Sequence, residues 1–176
     1  MSNYKKREYI DKNDLEEKQL KYSSDLPYPE IIVEENLPEA KILMPSYAGM
    51  ASELTAILTY SFQSYITTAL PELRSALEGI AKTEMHHHEL LGTTIAKLGG
   101  YPIMGARQYW NGSFANYTLA PKKFLQQNIT AEETAIRNYE QTILNLSSPQ
   151  IKMLIERIIL DEQMHVEDFK ELLQTM

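Results

Sequence analysis

Four glutamates and two histidines are spaced in this sequence as the ligands of a pair of metal ions would be. They are Glu53, Glu84, His87, Glu132, Glu162 and His165. Each histidine follows a glutamate by three residues, so on a helix both side chains face the same ion. Four carboxylates buried together would repel one another and be protonated or expelled unless cations neutralised them. Two divalent ions supply the matching positive charge, and two neutral imidazoles complete the ligand set.

An internal repeat supports this choice of residues. Residues 53–60 reappear as residues 132–139, an offset of 79, and residues 71–89 reappear as residues 149–167, an offset of 78. One inserted or deleted residue between the two helices of a pair explains the change of offset. The repeat also decides between two adjacent acids, because it pairs Glu132, and not Glu133, with the first glutamate of the set.

The elements that must position these side chains are helices. Apolar residues recur at helical spacing in four segments, which predicts helices at 48–68, 71–98, 128–146 and 149–173. Within each half of the chain the connection is short, so the two helices of a half must be antiparallel. The long connection at 101–127 predicts one crossover between the second and third helices of an all-α, antiparallel four-helix bundle. Bundles of this kind hold metal pairs with one glutamate from each of two helices and Glu-x-x-His from each of the others.

The N-terminal part has a different composition. Residues 1–24 are strongly polar and predict a tail that is ordered only by contact with something else. Residues 25–47 contain four prolines and predict an extended, irregular strap with at most a short strand. The predicted division is therefore a tail and strap over 1–47 and a single bundle domain over 48–176.

Three further side chains are candidates for contacts with the ligands. Asp161 could accept the outer ring N–H of a metal-bound histidine, although a surface acid is an equal reading of the sequence. Tyr60 and Tyr139 each follow a glutamate of the set by seven residues, on the same helical face. They could hydrogen-bond a ligand carboxylate or bound peroxide, or they could be ordinary core tyrosines.

Composition excludes several classes of function. The net charge is −7, and no basic run is longer than the three residues at 5–7, so neither nucleic acid nor an anionic membrane surface is an expected partner. No apolar stretch approaches the length of a membrane span. The 176 residues contain no cysteine, which excludes disulfides, iron–sulfur clusters and thiol catalysis. With no apolar leader at the N-terminus, we expect a soluble cytoplasmic protein.

The chain resembles the manganese catalase branch of the ferritin-like superfamily, including its spore-coat relatives. The motifs that carry the resemblance are Glu53-x-x-Ala56-x-x-x-Tyr60-x-Phe62-Gln63, Thr83-Glu84-x-x-His87-x-Glu89, Ile129-x-Ala131-Glu132-x-x-Ala135-x-x-x-Tyr139-Glu140 and the lead-in Tyr28-Pro29. The resemblance covers about residues 40–173 and leaves spore-coat association as an alternative location.

The resemblance implies a role for each residue of the site. Glu53 and Glu132 would be terminal ligands, Glu84 a bridging carboxylate, and His87 and His165 one nitrogen ligand for each of two manganese or two iron ions. Glu162 would be an outer-sphere acid and base, whereas the matching residue is a ligand in iron-binding ferritins. Tyr60 corresponds to a tyrosine just outside the ligands of the catalases and is the second catalytic candidate.

The function implied is disproportionation of hydrogen peroxide, with the metals exchanging both electrons and Glu162 moving protons. The alternatives are a rubrerythrin-like diiron peroxidase or ferroxidase, acting on peroxide or dioxygen, and an iron-handling ferritin. Ala135 counts against the rubrerythrin reading, because rubrerythrins have a further carboxylate at that position. The non-enzymatic alternative is a coat or structural protein that keeps the metal site for stability. In each case we expect a homo-oligomer.

Overall fold

The computed structural model describes residues 22–176, and this part forms five α-helices and one short 3₁₀ helix. The helices are α1 (Leu37–Ala48), α2 (Glu53–Ile66), α3 (Pro71–Lys97), α4 (Pro121–Asn145) and α5 (Pro149–Gln174), with the 3₁₀ turn at Gly112–Phe114. The last four α-helices make the predicted bundle. Pairs α2/α3 and α4/α5 pack along their lengths as two antiparallel hairpins. None of the helices in this part of the chain is long and apolar enough to cross a membrane.

Local sequence explains where the hairpins turn. The side chains of Ser52 and Ser148 accept backbone N–H groups at the starts of α2 and α5, which satisfies donors that have no partner inside the helix. Proline occupies the first turn of α3, α4 and α5, where its missing N–H costs nothing. Beyond α3, Gly99 adopts φ +80°, a conformation that glycine reaches without strain.

Helix α4 begins at Pro121, seven residues before the predicted start at 128. Phe124 and Leu125 are fully buried in this additional segment. The two lysines and two glutamines around Phe124 and Leu125 dilute the apolar pattern, so periodicity does not reveal this part of the helix. The crossover between the hairpins is correspondingly shorter, at 98–120. It is held against α2 by Trp110 Nε1, which donates to Thr55 Oγ1 at 2.9 Å, and by the Asn116 amide, which donates to Thr59 Oγ1 at 3.1 Å.

The prediction of an irregular strap is wrong for residues 37–47, which lie in α1. The four prolines of this segment predicted the strap, but Pro38 lies in the first turn of α1, where proline is favoured. The side chain of Asn36 caps this turn, because its Oδ1 accepts a hydrogen bond from the backbone N–H of Glu39 at 3.2 Å. The buried face of α1, which includes Leu43 and Tyr47, packs on α3. This burial holds the helix together across Pro45, which lacks an N–H to donate.

The apolar core is divided into two clusters along the bundle. One contains Leu91 and Ile95 of α3 with Ile151 and Leu154 of α5. The other contains Leu77 of α3 with Phe124 and Phe169 of α4 and α5. In α3, α4 and α5 the predicted metal ligands lie between the two clusters along the helix, whereas Glu53 is the first residue of α2. The polar centre is therefore enclosed by apolar layers at both ends of the bundle.

Candidate metal centre

All six predicted ligands converge in the middle of the bundle, and each is at most 4% exposed. Helix α2 supplies Glu53, α4 supplies Glu132, and α3 and α5 each supply a glutamate and the histidine three residues later. They form two clusters that share two members: Glu53, Glu84, His87 and Glu162 in one, and Glu84, Glu132, Glu162 and His165 in the other. Within each cluster one potential ligand atom from every residue lies within 4.8 Å of the others. The arrangement therefore provides two adjacent four-residue sites.

The shared residues, Glu84 and Glu162, each place one oxygen near each histidine. The two oxygens of Glu84 lie 3.2 Å from His87 Nδ1 and 3.0 Å from His165 Nδ1. Those of Glu162 lie 3.3 Å and 3.5 Å from the same two nitrogens. The two carboxylates thus occupy equivalent positions across the pseudo-twofold axis. Distance alone therefore does not distinguish Glu84 from Glu162, since each lies near both histidines.

The donor atoms fit metal ions better than they fit one another. Three buried atoms in the centre have no hydrogen-bond partner: Glu84 Oε1, Glu162 Oε1 and His165 Nδ1. The first and third of these are only 3.0 Å apart, yet they are not aligned as donor and acceptor. Buried donor atoms that approach closely without bonding to one another are arranged like ligands of one ion. Mixed carboxylate and imidazole donors suit manganese and iron alike, so the cluster could hold a dinuclear site of either metal.

When protons take the place of metal ions, the four glutamates of the centre divide into two with raised pKa values and two with lowered pKa values. Burial, reinforced by the charge of Glu84, raises the pKa of Glu53 well above its ordinary value, and burial with the charge of Glu162 does the same to the pKa of Glu132. Burial alone would raise the pKa of Glu84, but a hydrogen bond from Glu53, the charge of His165 and the contact with His87 lower it well below the usual value. Burial and repulsion from Glu84 would raise the pKa of Glu162, but its close contacts with the two histidines outweigh them and lower it.

The histidines supply the balancing charge. Burial by itself lowers the pKa of His87, but hydrogen bonds to Asp161 and the surrounding glutamates raise it well above the ordinary value. The same competition raises the pKa of His165, chiefly through Glu84 and Glu162. Two carboxylates and two imidazolium ions then leave the metal-free centre without net charge. Two divalent ions would preserve that neutrality by displacing the protons of both histidines and of the two remaining glutamates.

Tyr60 and Tyr139 both contact ligand carboxylates, so hydrogen bonding, one of the two sequence-based alternatives, is what the structure shows. The Tyr60 hydroxyl donates to Glu132 Oε1, and the Tyr139 hydroxyl donates to Glu53 Oε1. Each tyrosine thus reaches the glutamate of the opposite hairpin. Burial and the neighbouring Glu132 raise the pKa of Tyr60 well above its ordinary value, so it stays a donor.

The outer ring nitrogens of the two histidines have different partners. His87 Nε2 lies 2.9 Å from Asp161 Oδ2, whereas His165 Nε2 lies 2.9 Å from the backbone carbonyl oxygen of Tyr22. Asp161 is fully buried, so it is not a surface acid. It was predicted as a histidine partner, and it contacts the histidine of α3 rather than that of its own helix. Such outer partners fix the ring orientation and tautomer of a metal-bound histidine.

Sequence reasoning missed the residues that surround Asp161. The Ser24 amide donates to Asp161 Oδ1 at 2.7 Å, the Tyr28 hydroxyl donates to Oδ2, and Arg157 Nη1 donates to Oδ1 at 2.6 Å. The spacing of four between Arg157 and Asp161 was a usable signal for an ion pair on α5. The contacts of residues 22–28 had no such signal, because they join segments far apart in the chain.

A cavity of about 330 Å³ reaches the centre from the side between α2 and α4. Its inner wall includes Glu53, Glu132 and Glu162, and Ala135 and Phe114 are among its other lining residues. A buried amide pair joins α2 to α4 beside it: Asn128 Nδ2 donates to Gln63 Oε1 at 2.6 Å, and Gln63 Nε2 donates to Asn128 Oδ1 at 3.1 Å. The opposite side of the centre, between α3 and α5, is covered by residues 22–28. Small molecules therefore have a route to the ligands from the α2/α4 side.

Solved structures with this fold include several metal proteins. A manganese catalase, KatB from Anabaena PCC7120, superposes with a TM-score of 0.76 at 23% identity over 86% of this chain and 78% of that chain. The bacterioferritin of Desulfovibrio desulfuricans, with a diiron site, gives a TM-score of 0.62 at 25% identity over 77% and 79%. A dodecameric thioferritin from Bacteroides fragilis gives 0.63 at 17% identity over 81% and 88%. These likenesses confirm the predicted ferritin-like bundle.

Sequence comparison agrees with this assignment. No curated protein matches the chain significantly. The family model for rubrerythrin, however, matches residues 42–173, which include every predicted ligand. Because the match covers well over half of the chain, the protein belongs to the rubrerythrin family, within the ferritin-like superfamily of dimetal carboxylate proteins.

Proposed function

We propose that this protein is a dimetal oxidoreductase that converts hydrogen peroxide into water and dioxygen, as a manganese catalase does. The observation that carries the proposal is the paired centre at the end of a cavity, where the two clusters found among residues 22–176 consist of four glutamates and two histidines. The position three residues after Glu132 is Ala135, which lines the cavity and cannot act as a ligand. The likeness to KatB, a manganese catalase, supports the same reading.

The reaction consumes two peroxide molecules and yields two waters and one dioxygen. Two bound ions of manganese or iron would take up and return its two electrons, so the reaction needs no external reductant. We assign the proton transfers to Glu162, which lies on the cavity wall: its carboxylate accepts a peroxide proton and returns it to the oxygen that leaves as water. Tyr60 orients Glu132 throughout, because its hydroxyl remains a donor.

A second candidate is a diiron peroxidase or ferroxidase, and membership of the rubrerythrin family favours it. That reaction reduces peroxide with electrons from a separate donor. It differs from the first candidate in one measurable respect, because it stops when the reductant is withdrawn. A centre that binds metal without any turnover would instead indicate the structural role.

The experiment is to purify the full chain without added metal, measure its metals by elemental mass spectrometry, and record dioxygen release from peroxide with and without a reductant. About two manganese ions per chain, with dioxygen released in the absence of reductant, is the expected result. Reductant-dependent loss of peroxide with two iron ions and no dioxygen would replace it with the second candidate.

Adjacent acids on α4 provide a matched pair of variants for this experiment. Glu132→Gln removes a ligand and is expected to abolish dioxygen release, whereas Glu133→Gln, outside both clusters, should leave it unchanged. Equal activity of the two variants would contradict the assignment of the site.

A further inference from the structure

We propose that residues 22–28, together with Arg157 and Asp161, make the two metal positions unequal, so that the ion beside His87 is held more tightly than the ion beside His165. This inference rests on the proposed dimetal centre and adds a hierarchy between its two positions. Arg157 would be a positioning residue, since it acts through Asp161 and touches neither the ligands nor the ions.

The inequality originates where the internal repeat breaks down. The ligands themselves follow the repeat, so each position receives the same set of donor types. The residues behind the histidines do not follow it. At the offset of 78, Thr83 corresponds to Asp161 and Gly79 corresponds to Arg157. A symmetric inner centre is therefore surrounded by an asymmetric outer layer.

His87 is backed by a charged acceptor. Asp161 is fully buried and lies 2.9 Å from the ring Nε2 of His87. The carboxylate receives donors from Ser24, Tyr28 and Arg157, and these keep it ionised inside the protein. A carboxylate that accepts the outer N–H makes the opposite ring nitrogen more electron-rich and hence a stronger metal ligand.

His165 is backed by a neutral acceptor. Its Nε2 lies 2.9 Å from the carbonyl oxygen of Tyr22, and the same oxygen also accepts from Thr83 Oγ1 at 3.2 Å. A shared, uncharged carbonyl polarises the imidazole less than a dedicated carboxylate does. With similar glutamate donors on both sides, this outer contact distinguishes the two positions.

Arg157 fixes the segment that provides these contacts. It is 5% exposed, and its guanidinium donates to the carbonyl oxygens of Leu26 (Nε, 2.6 Å) and Ser24 (Nη2, 2.7 Å) as well as to Asp161. It also lies 4.2 Å from the centre of the Tyr28 ring. One side chain thus ties the backbone of residues 24–26, the Tyr28 ring and Asp161 into a single unit behind His87.

The test is a titration of the metal-free full chain with Mn²⁺, followed by calorimetry and by electron paramagnetic resonance. We expect two binding steps that differ in affinity by about tenfold or more. The first equivalent should give the signal of an isolated ion, and the coupled-pair signal should develop only with the second. His87→Ala should remove the tighter step, and His165→Ala the weaker one.

Asp161→Asn keeps the shape of the side chain and is the decisive variant. It should weaken the tighter step by about 10- to 100-fold and leave the weaker step in place. Glu133→Gln, an acid of α4 that lies outside both clusters, is the control and should leave both steps unchanged. Arg157→Lys retains the charge but not the bonds to two carbonyl oxygens, and it should cause a smaller loss in the same step.

Two ions bound with equal affinity by the unaltered protein would overturn the inference while leaving the dimetal centre intact. Equal weakening of both steps in Asp161→Asn would also overturn it, because a purely structural role has that effect. A chain that binds no Mn²⁺ at all would overturn both this inference and the proposed function.

Discussion

Tyr60 on α2 donates a hydrogen bond to the carboxylate of Glu132 on α4, so each hairpin orients a proposed metal ligand that belongs to the other. Tyr139 repeats the contact in the opposite direction, from α4 to Glu53 on α2. These two helices flank the cavity, and the crossed bonds hold the glutamates in place where solvent could otherwise separate them.

Tyr60→Phe is expected to lower both stability and turnover. The change leaves an oxygen of Glu132 without its donor, which costs about 1–3 kcal/mol of the free energy of unfolding. Denaturant titration and dioxygen release measure the two effects. Tyr65→Phe, on the same helix but 70% exposed, is the control and should change neither. If Tyr60→Phe and Tyr65→Phe have the same stability and the same dioxygen release, the hydrogen bond between Tyr60 and Glu132 contributes to neither property.

The metal-free protein is expected to be most stable at mildly acidic pH. The folded-state pKa values of His87 and His165 are raised above 6.5, so their contribution is complete below that pH and is lost as the pH rises through the raised values. Those of Glu84 and Glu162 are lowered from 4.5, so their contribution is present above that pH and is lost on further acidification. Thermal unfolding in a chelator across the pH range checks both limits.

The affinity for metal ions should instead increase as the pH rises, because the ions displace protons from the centre. At mildly acidic pH each divalent ion is expected to release about two protons, one from a histidine and one from Glu53 or Glu132. Calorimetric titration with Mn²⁺ in two buffers of different ionisation enthalpy measures this number. Binding without proton release would show that the metal-free centre does not hold the protons assigned to it.

Ala135→Leu is expected to reduce dioxygen release while the metal content stays at the unaltered level. The larger side chain occupies part of the cavity of about 330 Å³ without replacing a ligand. Measuring peroxide turnover and metal content in the same preparation distinguishes slower entry of peroxide from loss of metal ions. Ile136→Leu, at the next position of α4, conserves volume and should be neutral. A loss of metal in Ala135→Leu would indicate a damaged centre instead.

The amide pair of Gln63 and Asn128 is expected to behave as one unit. Each side chain is at most 1% exposed, so replacing either with leucine leaves its partner buried without hydrogen bonds, at a cost of about 1–3 kcal/mol. Replacing both should recover part of that loss. A double-mutant cycle measured by denaturant titration gives the coupling free energy, and strict additivity would contradict the expectation.

Gly79→Ala is expected to displace residues 22–24 from α3. A Cβ atom at this position would lie 2.2 Å from Cε2 of the Tyr22 ring, so the ring must move. Hydrogen exchange at the Ser24 amide, which donates to Asp161, should therefore become faster. Ser75→Ala, on an exposed position of the same helix, is the control. Unchanged exchange in Gly79→Ala would show that the ring does not anchor the segment.

Periodicity and the internal repeat predicted the residues that the structure gathers in its centre, because both are local properties of the sequence. Glu84 and His87 share a helical face whatever surrounds them, and the repeat then identified their counterparts. The short connections likewise required two hairpins. These features depend only on spacing along the chain.

Other features depend on contacts that no local pattern records. Helix α1 was missed because Pro38 can either end or begin a helix, and the packing of Leu43 against α3 decides which. The link between Ser24 and Arg157 spans 133 residues. Nothing in either segment alone indicates that they meet.

The same separation has a consequence for the order in which the protein is made. Residues 22–28 emerge from the ribosome long before Arg157 and Asp161, which follow them by more than 100 residues. The early segment can contact α3 through Tyr22, but its bonds with Arg157 and Asp161 must wait until α5 has been synthesised and has docked. Its closure over the two histidines is therefore among the final events of folding, since such distant contacts carry the largest loop-closure cost. A nascent chain released before residue 157 would lack the wall behind His87.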